Sequence, residues 1–352
     1  MPSLNKIFLL LILLLISCQL SGQQINRYEI LTERYVDRPI AMHKGQLQFN
    51  SGYEFSIINR KYDVAGDKID LATDGSVSAK HLIPFEVKFG ILEYLQLTIS
   101  TEYASMGLRD QNHNIGSSGS VLYVSELTRY KGLNDLFIGT DLTVPIKWHP
   151  LDFIISAGIS LPSFNHEPDK PQHSYTILDP VDGSASLVYR YNNKYCSGAM
   201  IGLLGSSIKI RTGRVSLIGS FFYSAGMKDA MSVNWESRLV ENEFQYQKYE
   251  YQFNPGKTIN YYGEIAFQAI SWFTITGIFT GYKSNGGWSN ITGKKVGYPE
   301  KSLNNLSFGY EILISQNLRL EQQVILPVAG KNLMANWAFL TGISLNFMTF
   351  AY

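Results

Sequence analysis

The sequence predicts an all-β chain that closes into an antiparallel transmembrane barrel of about 12 strands. Three observations carry that prediction: a leader-like N-terminus, apolar residues recurring at every second position, and connections that alternate between short turns and long polar loops.

The N-terminus comes first. Lys6 gives a short positive region, Ile7 to Ile16 an apolar run, and Ser17 to Gly22 a stretch of small or polar residues. This is the layout of a secretory signal peptide, and the apolar run is well short of the roughly 20 residues a spanning helix needs. Two processing sites compete. Leu15-Ile16-Ser17-Cys18 fits a lipoprotein box that would leave Cys18 as a lipidation site, whereas cleavage after Gly22 would leave Gln23 first. Residues 1–22 are accordingly expected to be a signal peptide, 23–43 a periplasmic or lumen-inserting segment, and 44–352 the barrel.

Composition narrows the class. The net charge is +1, with no basic tract or acidic tail, which disfavours nucleic acid as a partner. Hydrophobic residues make up 45% of the chain and aromatic residues 13%, yet no apolar run after the leader approaches a spanning helix. Barrel strands hide apolar residues at alternate positions and average to a near-neutral mean hydropathy, as here at -0.05. Beyond the leader Cys196 stands alone, so no intramolecular disulfide is expected and it reads as a small filler.

The strands follow. Leu95, Leu97, Ile99, Thr101 and Tyr103 alternate with Gln96, Thr98, Ser100 and Glu102, a pattern that makes two faces on a strand and none on a helix. Phe85, Val87, Phe89 and Ile91 oppose Glu86 and Lys88; Leu136 to Ile146 and Leu306 to Ile314 repeat the pattern, with Asp141 and Glu311 on the polar sides. Each is about ten residues long, enough to cross the hydrocarbon core at a tilt. Candidate segments lie near 44–57, 81–91, 94–105, 133–146, 152–162, 183–191, 195–210, 214–225, 258–269, 272–283, 304–314, 318–327 and 336–349. The odd number conflicts with the even count of bacterial barrels. Placing 183–191 outside the membrane gives twelve strands, and a hidden strand within 229–253 would give fourteen. The first is preferred, because Glu241, Glu243, Gln245, Gln247, Lys248 and Glu250 are too polar for lipid.

Connections sort by length. Short turns are expected at Leu92–Tyr94, Lys147–Leu151, Ile270–Trp272 and Ser315–Asn317, and long polar loops at 59–79, 107–132, 163–181, 227–257 and 285–303. Outer-membrane barrels place short turns in the periplasm and long loops outside. Trp148, Trp272, Trp288 and Trp337 fall near turns or loops, where interfacial aromatics would lie. The last strand alternates through Trp337, Phe339, Thr341, Ile343, Leu345 and Phe347 to a chain ending in Tyr352, which resembles the C-terminal signal read by barrel-assembly machinery.

Three stretches resemble the outer-membrane transporter family named after the phenol MetA-degradation pathway: Thr32 to Phe55, with Asp37-Arg38-Pro39 leading through Lys44-Gly45 into a strand; Phe85 to Ile99, with Lys88-Phe89-Gly90 before a tight turn; and Asp135 to Ser163. The opening departs from the family's usual Thr-Asp-Arg-Pro-Asp form at Val36 and Ile40. The resemblance implies a barrel and a role with small or hydrophobic molecules, and it brings no catalytic residues.

Few residues invite chemistry. The histidines are His43, His81, His113, His149, His166 and His173, and none is spaced as a helical zinc motif or paired with a second cysteine, so no metal or cofactor is expected. A barrel hydrolase would need a Ser beside a His base, but adjacent His173 and Ser174 would point to opposite faces of a strand. The residues singled out are Glu54, Glu86, Lys88, Glu102, Asp141, Glu264, Glu311, Arg319 and Glu321, which alternate with apolar neighbours and so are expected to face the lumen. They either line a hydrated path that sets selectivity or form a salt-bridged plug. The expected function is a non-enzymatic outer-membrane pore or passive transporter with membrane lipid around it. The alternative is a closed barrel that binds or supports through loops such as 107–132 and 227–257.

Overall fold

A computed structural model describes residues 34–70, 78–115, 121–144, 146, 150–162, 168–179, 184–240, 243–291 and 293–349. Cys18, Trp148 and Tyr352, and the signal-peptide expectation for residues 1–22, lie outside the described residues.

Twelve strands form the wall: β1 (Gln46–Tyr62), β2 (Ser78–Leu92), β3 (Leu95–Ile115), β4 (Leu136–Val144), β5 (Leu151–Leu161), β6 (Ile201–Thr212), β7 (Val215–Gly226), β8 (Lys257–Ile270), β9 (Phe273–Asn285), β10 (Lys301–Leu313), β11 (Leu318–Lys331) and β12 (Leu333–Met348). Each pairs antiparallel with its neighbours in chain order, and β12 returns to β1 from Gln46↔Met348 to Tyr62↔Leu333. The sheet therefore closes on itself, leaving no edge along the wall. The even count of twelve agrees with placing 183–191 outside the wall.

Local chemistry explains the short-turn end. β2–β3, β6–β7 and β8–β9 are joined by two-residue turns, and Gly213 takes φ 57 in the second of these, a left-handed conformation that costs glycine little. In β2, Pro84 has no N–H to donate, and the β1–β2 ladder skips from Ser51↔Phe85 to Glu54↔Leu82.

The two faces of the wall are inverted relative to a water-soluble protein. Outward positions carry Phe49, Phe85, Leu142, Ile155, Leu204, Leu217, Phe221, Ile265, Phe308 and Ile343, all exposed. The side chains most shielded from solvent include Gln96, Ser156, Lys209, Ser216, Glu264, Arg319 and Asn346. A stacked sandwich would bury the first set, so the alternation in the sequence maps onto a greasy exterior and a polar interior.

The long-loop end corrects one expectation. Stretches expected as polar loops are largely β-structure: β1 runs on to Tyr62 and β3 to Ile115, and Val121–Leu133 pairs with β3 from Ile115↔Val121 to Tyr103↔Leu133. Hairpins Gln172–Asp179/Ser184–Lys194 and Ala230–Val240/Glu243–Asn254 add further strands. Polar residues on both faces do not stop a ladder outside lipid, because backbone pairing needs only a neighbouring strand. After Leu133 the chain breaks register at Asn134 and Asp135 before entering β4. Above that break Val121–Leu133 pairs in parallel with Ser184–Lys194, while below it β4 pairs with β5.

Candidate functional site in the barrel interior

Inward alternation places a cavity of about 990 Å³ inside the wall. Glu86 and Lys88 of β2, Glu102 of β3, Glu264 of β8, Glu311 of β10, and Arg319 and Glu321 of β11 line it. Glu86 accepts a hydrogen bond from Asn50 Nδ2 at 2.7 Å and pairs with Lys88 at 3.0 Å. Glu102 accepts from Asn134 Nδ2 at 2.9 Å and bonds Tyr195. Glu54 lies nearer the loops and outside the cavity lining, within electrostatic reach of Lys80 and Glu102. Asp141 sits lower and also off the lining, accepting from Gln96 Nε2 at 2.7 Å and Ser156 Oγ at 2.6 Å.

Residues 34–43 occupy part of the same interior. Asp37 and Arg38 amides fold back onto the Arg34 carbonyl, making a compact turn. From this turn Tyr35 donates its hydroxyl to Glu264 at 2.7 Å, and Arg38 forks onto Glu311 at 2.9 and 2.5 Å. The wall answers with cations: Lys209 Nζ donates to the carbonyls of Tyr35 and Arg38 at 3.1 and 2.9 Å, and Arg211 to that of Asp37 at 2.6 Å. Arg211 also pairs with Asp152 at 2.7 Å. Further along, the Met42 amide donates to Gln96 at 2.7 Å. Planar guanidinium–carboxylate bonds and charged donors on carbonyls are the stronger class of hydrogen bond, so this is a specific seat.

Several of these partners were not singled out from the sequence. Lys209 alternates with exposed Ile208 and Ile210, so the rule that selected Glu264 also selects it. Tyr35 and Arg38 were legible only as part of a polar lead, because no strand period reaches residues 34–43.

Of the aromatic candidates, Trp272 stands 51% exposed in the β8–β9 turn and Trp337 40% exposed on the outward face of β12. Trp288 lies on a two-residue strand, Trp288–Ser289, among the long-loop strands, with Lys295 Nζ 3.8 Å from its ring centroid.

At the long-loop end His173 is enclosed by aromatic rings. Tyr246 stacks at 5.4 Å and 6°, and Phe244, Tyr189 and Tyr191 lie within 5.8 Å. This cluster joins the two outer hairpins, and Trp235 Nε1 donates to the Pro168 carbonyl at 3.3 Å. Burial pushes the His173 imidazole below its ordinary pKa. No group of three metal-binding side chains occurs among the described residues.

No protein-family model matches the chain, and no curated protein does. Among solved structures, an outer membrane channel from Pseudomonas putida F1 superposes with a TM-score of 0.58 at 9% identity, covering 87% of this chain and 97% of that one. The shared feature is the fold, a closed outer-membrane β-barrel. A channel described as a monoaromatic hydrocarbon channel, CymD, follows at a TM-score of 0.42 and 9% identity over 93% and 92% of the two chains, too loose a likeness to carry weight.

Proposed function

We propose that this protein is an outer-membrane pore or passive transporter for small, hydrophobic molecules, closed at rest by residues 34–43. The single observation that carries the reading is a cavity of about 990 Å³ inside a closed wall that is greasy outside, polar inside, and partly filled by a tethered piece of its own chain. Side chains of the wall alone do not occupy this interior, and the segment that takes up part of it is held by separate hydrogen bonds and an ion pair.

Location in the bacterial outer membrane is supported by the inverted faces, since exposed Phe, Leu and Ile around a closed wall suit a lipid surround. The leader-like residues 1–22 would supply export, and β12 the sequence presented to barrel-assembly machinery. No catalytic step enters this reading. The small, hydrophobic class of solute rests on the family resemblance of Thr32 to Phe55, Phe85 to Ile99 and Asp135 to Ser163.

A second reading, a permanently closed barrel that works through its outer hairpins, is favoured by the Arg38–Glu311 fork and the His173 cluster. Planar-bilayer recording separates the two. The pore reading expects discrete openings from the intact protein and more from a variant lacking residues 34–43. A folded barrel that stays silent in both forms removes it.

A further inference from the structure

Resting on the outer-membrane reading above, we infer that the outward face around Arg129, Lys131 and Arg190 seats the phosphate-bearing headgroup of an outer-leaflet lipid. The strand Val121–Leu133 continues the wall beyond the apolar band, and its outward side chains are Leu127, Arg129, Lys131 and Leu133. Leu133 is 53% exposed and closes the greasy band on this strand. At about 3.3 Å per residue, Lys131 lies ~7 Å and Arg129 ~13 Å further along. These cations therefore begin where hydrocarbon ends.

The neighbouring strand, Ser184–Lys194, brings more. Its parallel register sets Leu127↔Arg190, Arg129↔Asn192 and Lys131↔Lys194 side by side. Adjacent strands stand only about 4.8 Å apart, so these charges fall within the width of one headgroup. Lys194 is answered by Asp169 at 3.0 Å. Arg129, Lys131 and Arg190 have no carboxylate partner among the described residues. Like charges placed together repel unless an anion sits between them, and guanidinium groups fork well onto phosphate oxygens.

Shape agrees with charge. Arg129 divides two recesses of about 360 Å³ each. One also has His81, Ser105 and Lys131 on its walls, and the other Gln172, Arg190 and Asn192. A free anion would satisfy the cations but would leave Leu133 and Tyr53, both exposed on the same outward face, without apolar cover. A lipid supplies both parts, an acyl chain below and a phosphate above. Neither Arg129, Lys131 nor Arg190 reaches the interior cavity, so this seat is separate from the pore.

The test compares the full-length protein with R129Q/K131Q/R190Q, both checked for barrel closure by heat-modifiable migration. Each is titrated in detergent with bis-phosphorylated lipid A, with dephosphorylated lipid A, and with inorganic phosphate, and bound lipid is read by native mass spectrometry. Expected are retention of lipid A by the wild type, at least about tenfold weaker retention by the triple variant, and no difference between the two with the dephosphorylated lipid. Channel conductance should be the same in both. If the triple variant fails to close, R190Q and K131Q singly replace it, each expected to weaken retention in the same direction. Equal lipid A retention by wild type and variant overturns the inference, and so does inorganic phosphate binding as tightly as the lipid. In either case a conducting barrel in the outer-membrane fraction leaves the pore reading standing. A protein that fractionates away from the outer membrane overturns both.

Discussion

Arg38→Ala tests the seat of residues 34–43 most directly. The Arg38 and Glu311 side chains are only 16% and 12% exposed, and they share two bonds at 2.9 and 2.5 Å. Breaking a shielded, charged pair costs about 3–5 kcal/mol in a dry interior. A cavity that admits water screens the pair, which lowers the expectation to about 2 kcal/mol. That is ~30-fold in the balance between a seated and an unseated segment, because 1.4 kcal/mol is tenfold. The three donors from Lys209 and Arg211 remain, so the segment stays seated most of the time but leaves more often. In single-channel recordings at fixed voltage, open probability should rise by about that factor with unit conductance unchanged. Glu311→Gln should rise similarly, and the double variant should add little to either single change, since both remove one interaction. Unchanged open probability in Arg38→Ala, with the barrel shown to be folded, would refute the claim that this fork holds a gate.

Other outcomes follow from the same geometry. Phe308 is 55% exposed on the outward face of β10, so Phe308→Arg should destabilise the barrel in lipid vesicles by about 2–4 kcal/mol in urea unfolding, while a loss under ~0.5 kcal/mol would contradict a lipid-facing position. At His173 the folded pKa is depressed by burial, so the packing between the outer hairpins should be complete above about pH 6.5 and be lost as pH falls below that value. Amide protection in Glu243–Asn254, corrected for the intrinsic pH dependence of exchange, should drop on acidification and become insensitive to pH in His173→Phe; equal sensitivity in both proteins would rule out the histidine. Gly158 faces Gly139 across β4–β5, and a methyl at Gly158 would lie 2.5 Å from the Phe137 ring and 2.9 Å from the Ile138 carbonyl. Gly158→Ala should therefore cost about 1–3 kcal/mol through overpacking, and Phe137→Leu should restore most of it in the double variant if the ring is the obstacle.

How much of this was legible depended on what imposes a period. Segments such as Leu95–Tyr103 and Leu306–Ile314 were readable because lipid on one side and water on the other force alternation, residue by residue. The same rule reaches Glu86, Glu102, Glu264, Glu311 and Glu321, and it reaches Lys209. It says nothing about Tyr35 and Arg38, whose placement depends on a turn and on partners more than 170 residues away in the chain. Beyond the membrane both faces of a strand meet water, so Glu243–Asn254 looked like a loop: its aromatics change face midway, from Phe244 and Tyr246 to Tyr249, Tyr251 and Phe253. The parallel pairing of Val121–Leu133 with Ser184–Lys194 has no local signature at all, because a parallel partner leaves no turn between the two strands.

The joint between β1 and β12 carries a consequence for how the molecule is made. Its sixteen facing pairs unite residues between 271 and 302 positions apart in the chain, from Tyr62↔Leu333 to Gln46↔Met348. Contacts of such wide separation form late and slowly. Until Leu333–Met348 is in place, β1 and β11 each present a bare backbone edge, and a chain cut before Leu333 would leave an unclosed ribbon that other chains can join.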